Sequence, residues 1–514
     1  MKKHLKYLVV FTAGVAVLAA CKKSFLSVTP KGTTLESNYY TNQTEAFAGL
    51  VAIYDVMGFQ SNGLVTKEGV ADAASDDHVA GGGSSTDVTA LQVINNYTLN
   101  ETTGPSQDLW QASFQGVLRA NVLLAKIPNV PMDATLKARY IAEAKGLRAY
   151  FYFDLVRWFK NVPLLNKVVN ASEIDNITQS SPADTYAQIE GDLKAAIAEP
   201  ALPATVNVAT DGGRLTKGAC LALLGKVYLY EKKWTDAVSM LAQVNGTVGQ
   251  ANATYGYKLL ANFADLWKPL NKFNSESILE VAHTSQSGGS WGCIACTEGN
   301  VLNIMLGPRG YVAKTAAAPD YVSGYSFLPF TQNFYNFIKN DPRNRPTVAN
   351  LDSLKAAGIA DYTPGYDNTG FFVNKFAGHV ANISTGGGNP ELNYPQNMYE
   401  IRLADTYLME AEALIQGNGD LVRAAALMTA VHSRAYNDGA SHPVTATLDN
   451  LKRERRLELA GEGHRWFDLV RWGDAAAALG YKGFKAGRNE ILPVPITDLN
   501  GTQLKQSKEW GGSL

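Results

Sequence analysis

Residues 454–473 are rich in groups able to move protons: Glu454, Glu458, Glu462, His464 and Asp468 stand among Arg455, Arg456, Arg465 and Arg471. Glu458 and Asp468 could be imagined as the two carboxyl groups of a glycosidase, which must sit about 5–10 Å apart across a sugar. The residues between them argue otherwise. Leu457, Leu459, Trp466, Phe467, Leu469 and Val470 alternate with the charges on two short helices joined at Gly461-Glu462-Gly463, a pattern that suits arginine forks tying helix ends to carboxylates in a packed core. His464, His432 and His442 each lack a second histidine at metal-ligand spacing, so no zinc site is readable. Gly288-Gly289-Ser290-Trp291-Gly292 spells G-x-S-x-G, but it lies in a Gly/Ser-rich loop without the strand-to-helix context of a nucleophile elbow; a phosphate-cradling loop and a dinucleotide fingerprint are absent from the sequence. The chain is expected to be no enzyme and to use no metal and no cofactor.

What remains is binding chemistry. Carbohydrate recognition needs flat apolar faces to stack on the C–H face of a sugar, and polar side chains to bond its hydroxyls. From Ser285 to Pro395 the sequence has 14 Gly, 15 aromatic and 14 charged residues, with Pro308, Pro319, Pro329 and Pro364 breaking any long helix, so a loop-rich insert is expected there. A second irregular stretch, Phe59 to Thr103, carries Ala73-Ala74-Ser75-Asp76-Asp77-His78 and a Gly81-Gly82-Gly83-Ser84-Ser85 run. Loops on a rigid scaffold are where binding residues sit. The candidates are Trp291, Arg309, Tyr311, Tyr321 and Tyr325, facing Asp76, Asp77 and His78. For each aromatic the competing expectation is simple packing within the insert. Trp291 is the best single choice, because Gly288-Gly289-Ser290 and Gly292 flank it and offer an indole little core to bury in. Cys293 and Cys296 lie in the same Gly/Ser-rich loop; two ligands are too few for zinc, and a local disulfide is the better reading in an oxidising compartment.

The elements that position these loops are helical. Asp108 to Ile127 and Leu136 to Phe159 are long, low in Gly and Pro, and stop at prolines. Lys217 to Val244 contains Leu221, Leu224, Gly225, Tyr228, Ala237 and Leu241, spacings that match the tetratricopeptide pattern of helix pairs. A looser copy runs from Met398 to Ala435. Such pairs cannot bury their apolar faces alone and must stack. The fold expected is mainly α: a tetratricopeptide-like helical-repeat scaffold with a loop-rich, irregular capping subdomain.

At the N-terminus, Lys2, Lys3 and Lys6 precede an uncharged apolar stretch that closes on Leu18-Ala19-Ala20-Cys21. The stretch is too short to span a bilayer, which takes about 20 apolar residues. It reads as a secretory signal (residues 1–20) ending in a lipobox, with Cys21 the lipidated mature N-terminus. Loss of three lysines from a chain of formal charge −1 leaves −4. No basic tract or basic-aromatic cluster marks a nucleic-acid partner.

Several segments resemble the SusD/RagB family, in order and across nearly the whole mature chain. They include Cys21-Lys22-Lys23-Ser24-Phe25-Leu26, Arg119-Ala120-Asn121, Glu143-Ala144-Lys145-Gly146-Leu147-Arg148-Ala149-Tyr150, Arg214-Leu215-Thr216-Lys217-Gly218, Asp341-Pro342-Arg343, Arg402-Leu403-Ala404-Asp405, and above all Glu454 to Gly473 followed by Leu492-Pro493-Val494-Pro495. The resemblance implies four tetratricopeptide-like helix pairs, an irregular cap, and a lipoprotein of the outer membrane facing the extracellular side. It further implies capture of an oligosaccharide, or in some members a peptide, for a TonB-dependent transporter of the SusC type. Lys22-Lys23 depart from the acidic residues that follow the lipidated cysteine in many surface-exported relatives. On this reading residues 21–284 and 396–514 build the scaffold and 285–395 the capping, ligand-binding insert. The alternatives are capture of peptide or another nutrient, a surface glycoside hydrolase, and a protein-binding scaffold.

Overall fold

The computed structural model describes residues 39–59 and 61–514; Cys21 lies outside them. The longer helices are α1 (Gln43–Phe59), α2 (Lys67–Ala74), α3 (Ser106–Lys126), α4 (Ala134–Phe159), α5 (Pro182–Ala198), α6 (Lys217–Tyr230), α7 (Trp234–Asn245), α8 (Leu403–Gln416), α9 (Leu421–Tyr436), α10 (Leu448–Glu458) and α11 (Arg465–Trp472). α1 packs on α3, α4 on α5, α6 on α7, and α8 on α9. α3·α4, α5·α6 and α7·α8 contacts join these four pairs into one row. The tetratricopeptide-like stack expected from the sequence is thus present.

Local chemistry sets the helix ends and crossings. The Thr216 hydroxyl accepts from Ala219 N at 3.1 Å and starts α6, and Asp420 accepts from Val422 N and Arg423 N to start α9, as N-caps do. Gly218 to Leu229 are all buried, because α6 has neighbours on every side. At Gly225 a Cβ would lie 2.6 Å from Leu241 Cγ of α7; the small residue of the repeat pattern is what lets the two helices close. Lys217–Val244, a single periodic run in sequence, breaks at Lys232, whose φ is 59°.

The stretch 59–103 holds more structure than its composition suggests: α2 is capped by Thr66, whose hydroxyl accepts from Gly69 N at 3.0 Å, and Thr89–Asn95 form a further short helix. β1 (Ser277–Val281) pairs antiparallel with β6 (Met398–Arg402), so the segment between them leaves and re-enters the scaffold at one place. Within it, β2 (Val312–Ala313) pairs with β4 (Ala360–Asp361), and β3 (Val348–Asn350) with β5 (Phe371–Val373). Tyr311, Tyr321, Leu351, Tyr362 and Phe372 fill a small core of the segment's own.

The charged residues of 454–473 are structural. Arg402, 1% exposed, donates from Nη1 to Glu458 at 2.6 Å and from Nη2 to Glu462 at 2.7 Å. Arg343 Nη1 donates to Glu454 at 2.6 Å and to Glu458 at 3.0 Å, and Arg434 pairs with Glu276 and Glu458. Burial opposes ionisation of Glu458, but the Arg434, Arg402 and Arg343 guanidiniums prevail and hold its carboxyl well below the usual range. Asp468, buried against Arg455 and Arg471, is held at about 2. Charges so placed cost dearly if one partner is removed.

Candidate functional site

Trp291 stands on the 288–297 loop. Cys293 and Cys296 form a disulfide there. The loop is stitched to the segment ahead of β6: Gly289 N donates to Asn393 Oδ1 at 3.0 Å, Asn393 Nδ2 returns a bond to Gly289 O at 2.9 Å, and Thr297 Oγ1 donates to Leu392 O at 2.9 Å. The indole is 40% exposed. Its Nε1 donates to Glu391 Oε1 at 2.7 Å and its backbone N to Asn389 Oδ1 at 3.2 Å, so the ring is both open to solvent and fixed in orientation.

Tyr325 lies beside it, ring centroids 6.5 Å apart and planes inclined by 39°. Arg309 Nη2 donates to Tyr325 O at 3.1 Å and reaches Asp87 Oδ2 at 4.0 Å. Asp87 accepts from Gly83 N at 2.7 Å, and Tyr366, 37% exposed, donates its N–H to Gly82 O at 2.8 Å. Arg309 Nε has no partner among the described residues. Burial pushes the Tyr325 phenol up, so it remains an O–H donor at neutral pH. Aromatic side chains with a guanidinium and carboxylates close by can provide stacking and hydroxyl recognition together.

The sequence candidates do not all converge. Tyr311 and Tyr321 pack edge to face at 5.5 Å inside the insert's small core, and their hydroxyls donate to Pro319 O and Asn374 Oδ1 at 2.6 and 2.7 Å. Asp76, Asp77 and His78 do not face the aromatics but turn into the protein. Asp76 Oδ1 accepts from Arg465 Nε at 2.7 Å and Asp77 Oδ1 from Arg456 Nε at 2.8 Å. Burial opposes ionisation of Asp76, and its guanidinium neighbours overcome that and hold its carboxyl below the usual range. His78 is fully buried with Nδ1 2.8 Å from Leu328 O, and burial pushes its pKa down to about 3. A polar run in a Gly-flanked loop reads as exposed; here the partners of its two aspartates come from α10 and α11, and that of His78 from the inserted segment. Asp87, Tyr366 and Glu391 were missed. Glu391 lies 100 residues from Trp291, and no spacing rule joins them.

Stacked helix pairs bearing an aromatic site on an inserted, loop-rich unit define a SusD-like protein. The chain belongs to the SusD family: residues 325–496 match the SusD family, and residues 38–229 match a family described as starch-binding, associating with the outer membrane. A solved structure described as a laminarin-binding SusD-like protein is 51% identical, with a TM-score of 0.87 over 91% of this chain and 99% of that one. Surface glycan-binding protein A from Bacteroides fluxus is 26% identical, with a TM-score of 0.79 over 91% of this chain and 99% of that one. A SusD-like protein of Bacteroides ovatus is 24% identical over 481 residues, 91% of this chain and 82% of the relative. Among the described residues no helix is long and apolar enough to cross a membrane.

Proposed function

We propose that this chain is a non-catalytic glycan-capture protein whose ligand is a β-1,3-glucan of the laminarin class. It is anchored in the outer membrane through lipid on Cys21, faces outward, and hands its ligand to a TonB-dependent transporter of the SusC type. The observation that carries the reading is the Trp291 indole, open to solvent yet fixed by Glu391 beside Tyr325. The relative of 51% identity, described as laminarin-binding, supports the ligand class. In this reading Trp291, Tyr325 and Tyr366 present stacking faces, and Arg309, Asp87 and Glu391 bond hydroxyls. Residues 285–395 act as the binding insert, and 21–284 with 396–514 as scaffold. Tyr311 and Tyr321 shape the insert from within. Catalysis is disfavoured because the acids of 454–473 are buried in ion pairs. Calorimetric titration with laminarin, together with an assay for new reducing ends, tests this: binding without cleavage is expected. Absence of binding to β-1,3-glucan, or release of reducing ends, overturns it.

A further inference from the structure

Tyr481 is the most solvent-open of the exposed aromatic rings, 68% exposed, and it belongs to neither hydrophobic core. One exposed aromatic is ordinary. This one borders a groove of about 390 Å³ whose other walls include Asn95, Asn96, Thr331, Gln332 and Asn333, a volume within the range of small-ligand sites. Asn95 Nδ2 donates to Ala73 O and His78 O. Among the described residues its Oδ1, the Asn333 amide and the Tyr481 hydroxyl have no partner.

The backbone that carries the ring is held in place. Lys482, the next residue, donates from Nζ to Ala73 O at 3.0 Å, Ser75 O at 2.6 Å and His78 O at 3.0 Å. Gly483 closes the turn at φ 100°, a conformation that suits glycine. The ammonium is therefore fully engaged with backbone, and Asp76 is paired with Arg465. The walls offer amides and hydroxyls but no free charge, which suits a neutral ligand over an anion.

We propose that this groove is a second carbohydrate-binding site, in which Tyr481 stacks on a sugar ring and the surrounding amides bond its hydroxyls. The inference rests on the glycan-capture reading above. The 78–82 and 327–330 segments pair through His78–Phe330 and Gly81–Phe327 bridges. Tyr325 of the first site lies at one end of that pairing and Thr331 of the second at the other. Six residues of chain separate their Cα atoms by at most roughly 20 Å. A polymer able to reach both sites gains from the second attachment in a way that a short oligosaccharide does not.

Affinity electrophoresis of the full chain, in gels containing laminarin and in a parallel panel of other neutral glycans, decides the matter. Tyr481→Ala should weaken retardation by laminarin about fivefold, and Tyr481→Phe should retain most of it. Trp291→Ala should leave residual retardation, which Trp291→Ala/Tyr481→Ala abolishes. If the double variant migrates as Trp291→Ala does in every gel, the second site is refuted. If Tyr481 matters and Trp291 does not, the first site fails and the second stands. A melting temperature unchanged in Tyr481→Ala separates lost contact from lost fold.

Discussion

Replacing Trp291 with alanine isolates the exposed indole from the rest of the molecule. A tryptophan presents up to about 250 Å² of side-chain surface, so a residue 40% exposed has roughly 100 Å² left to cover. At about 25 cal/mol per Å², complete coverage would be worth about 2.5 kcal/mol, and a sugar stacked on one face covers about half. The expected loss is thus about 1–1.5 kcal/mol, or close to tenfold in Kd. Trp291→Phe keeps a stacking face but loses the Nε1 bond to Glu391, so its ring is no longer aimed and a loss of about threefold is expected. The ring lies outside both hydrophobic cores, and melting should hardly move. Calorimetric titration with laminarihexaose, paired with thermal melts, reads both quantities. Unchanged affinity, or a Trp291→Ala protein that melts several degrees lower, would refute the reasoning and make Trp291 a packing residue.

Glu458→Gln leaves Arg343, Arg402 and Arg434 short of a buried counter-charge; chemical denaturation should show a loss of about 3–5 kcal/mol with no change in ligand affinity once folded. His78, kept neutral by burial with its pKa near 3, takes up its proton in the unfolded chain from about pH 6.5 downward. It therefore contributes stability that is present above that pH and lost as pH falls toward 3, with a slope approaching about 1.4 kcal/mol per pH unit; denaturation from pH 7 to 4 should give a shallower dependence in His78→Gln than in the parent chain. Cys21→Ala should shift the protein from the membrane to the soluble fraction on cell fractionation, since a lipid anchor works through its acyl chains; a variant that still sediments with outer membranes would count against the lipobox.

The scaffold was legible because its signals are local. Leu221, Gly225, Tyr228 and Leu241 repeat at helix-pair spacing, and the structure puts Gly225 where α6 and α7 touch. The structural role of 454–473 was legible too, since charges interleaved with large apolar residues have to share a core with them. The site was legible only where composition fixes exposure. Gly/Ser flanks kept Trp291 open, whereas Tyr311 and Tyr321 found each other and built a core that no periodicity announced. Asp76 and Asp77 carried no local sign of their partners, Arg465 and Arg456, which lie 389 and 379 residues along the chain. Long-range pairing of that kind is set by tertiary packing, and a polar loop read alone looks like a loop in water.

The β1–β6 pairing brings both ends of the inserted segment to adjacent backbone positions, so its loop tips can change without moving a scaffold helix, while Leu302, Phe330, Phe334 and Phe376 stay in the main core with the helices. Two of its residues limit that freedom. Arg343 and Lys375 belong to the insert, yet they neutralise Glu454, Glu458 and Glu462 of the scaffold. A transplanted insert must bring both cations with it, or the host scaffold is left with buried acids that have lost part of their counter-charge, Arg402 and Arg434 remaining beside Glu458 and Arg402 beside Glu462. The loop tips are therefore free to vary, while the root of the segment is chemically fixed.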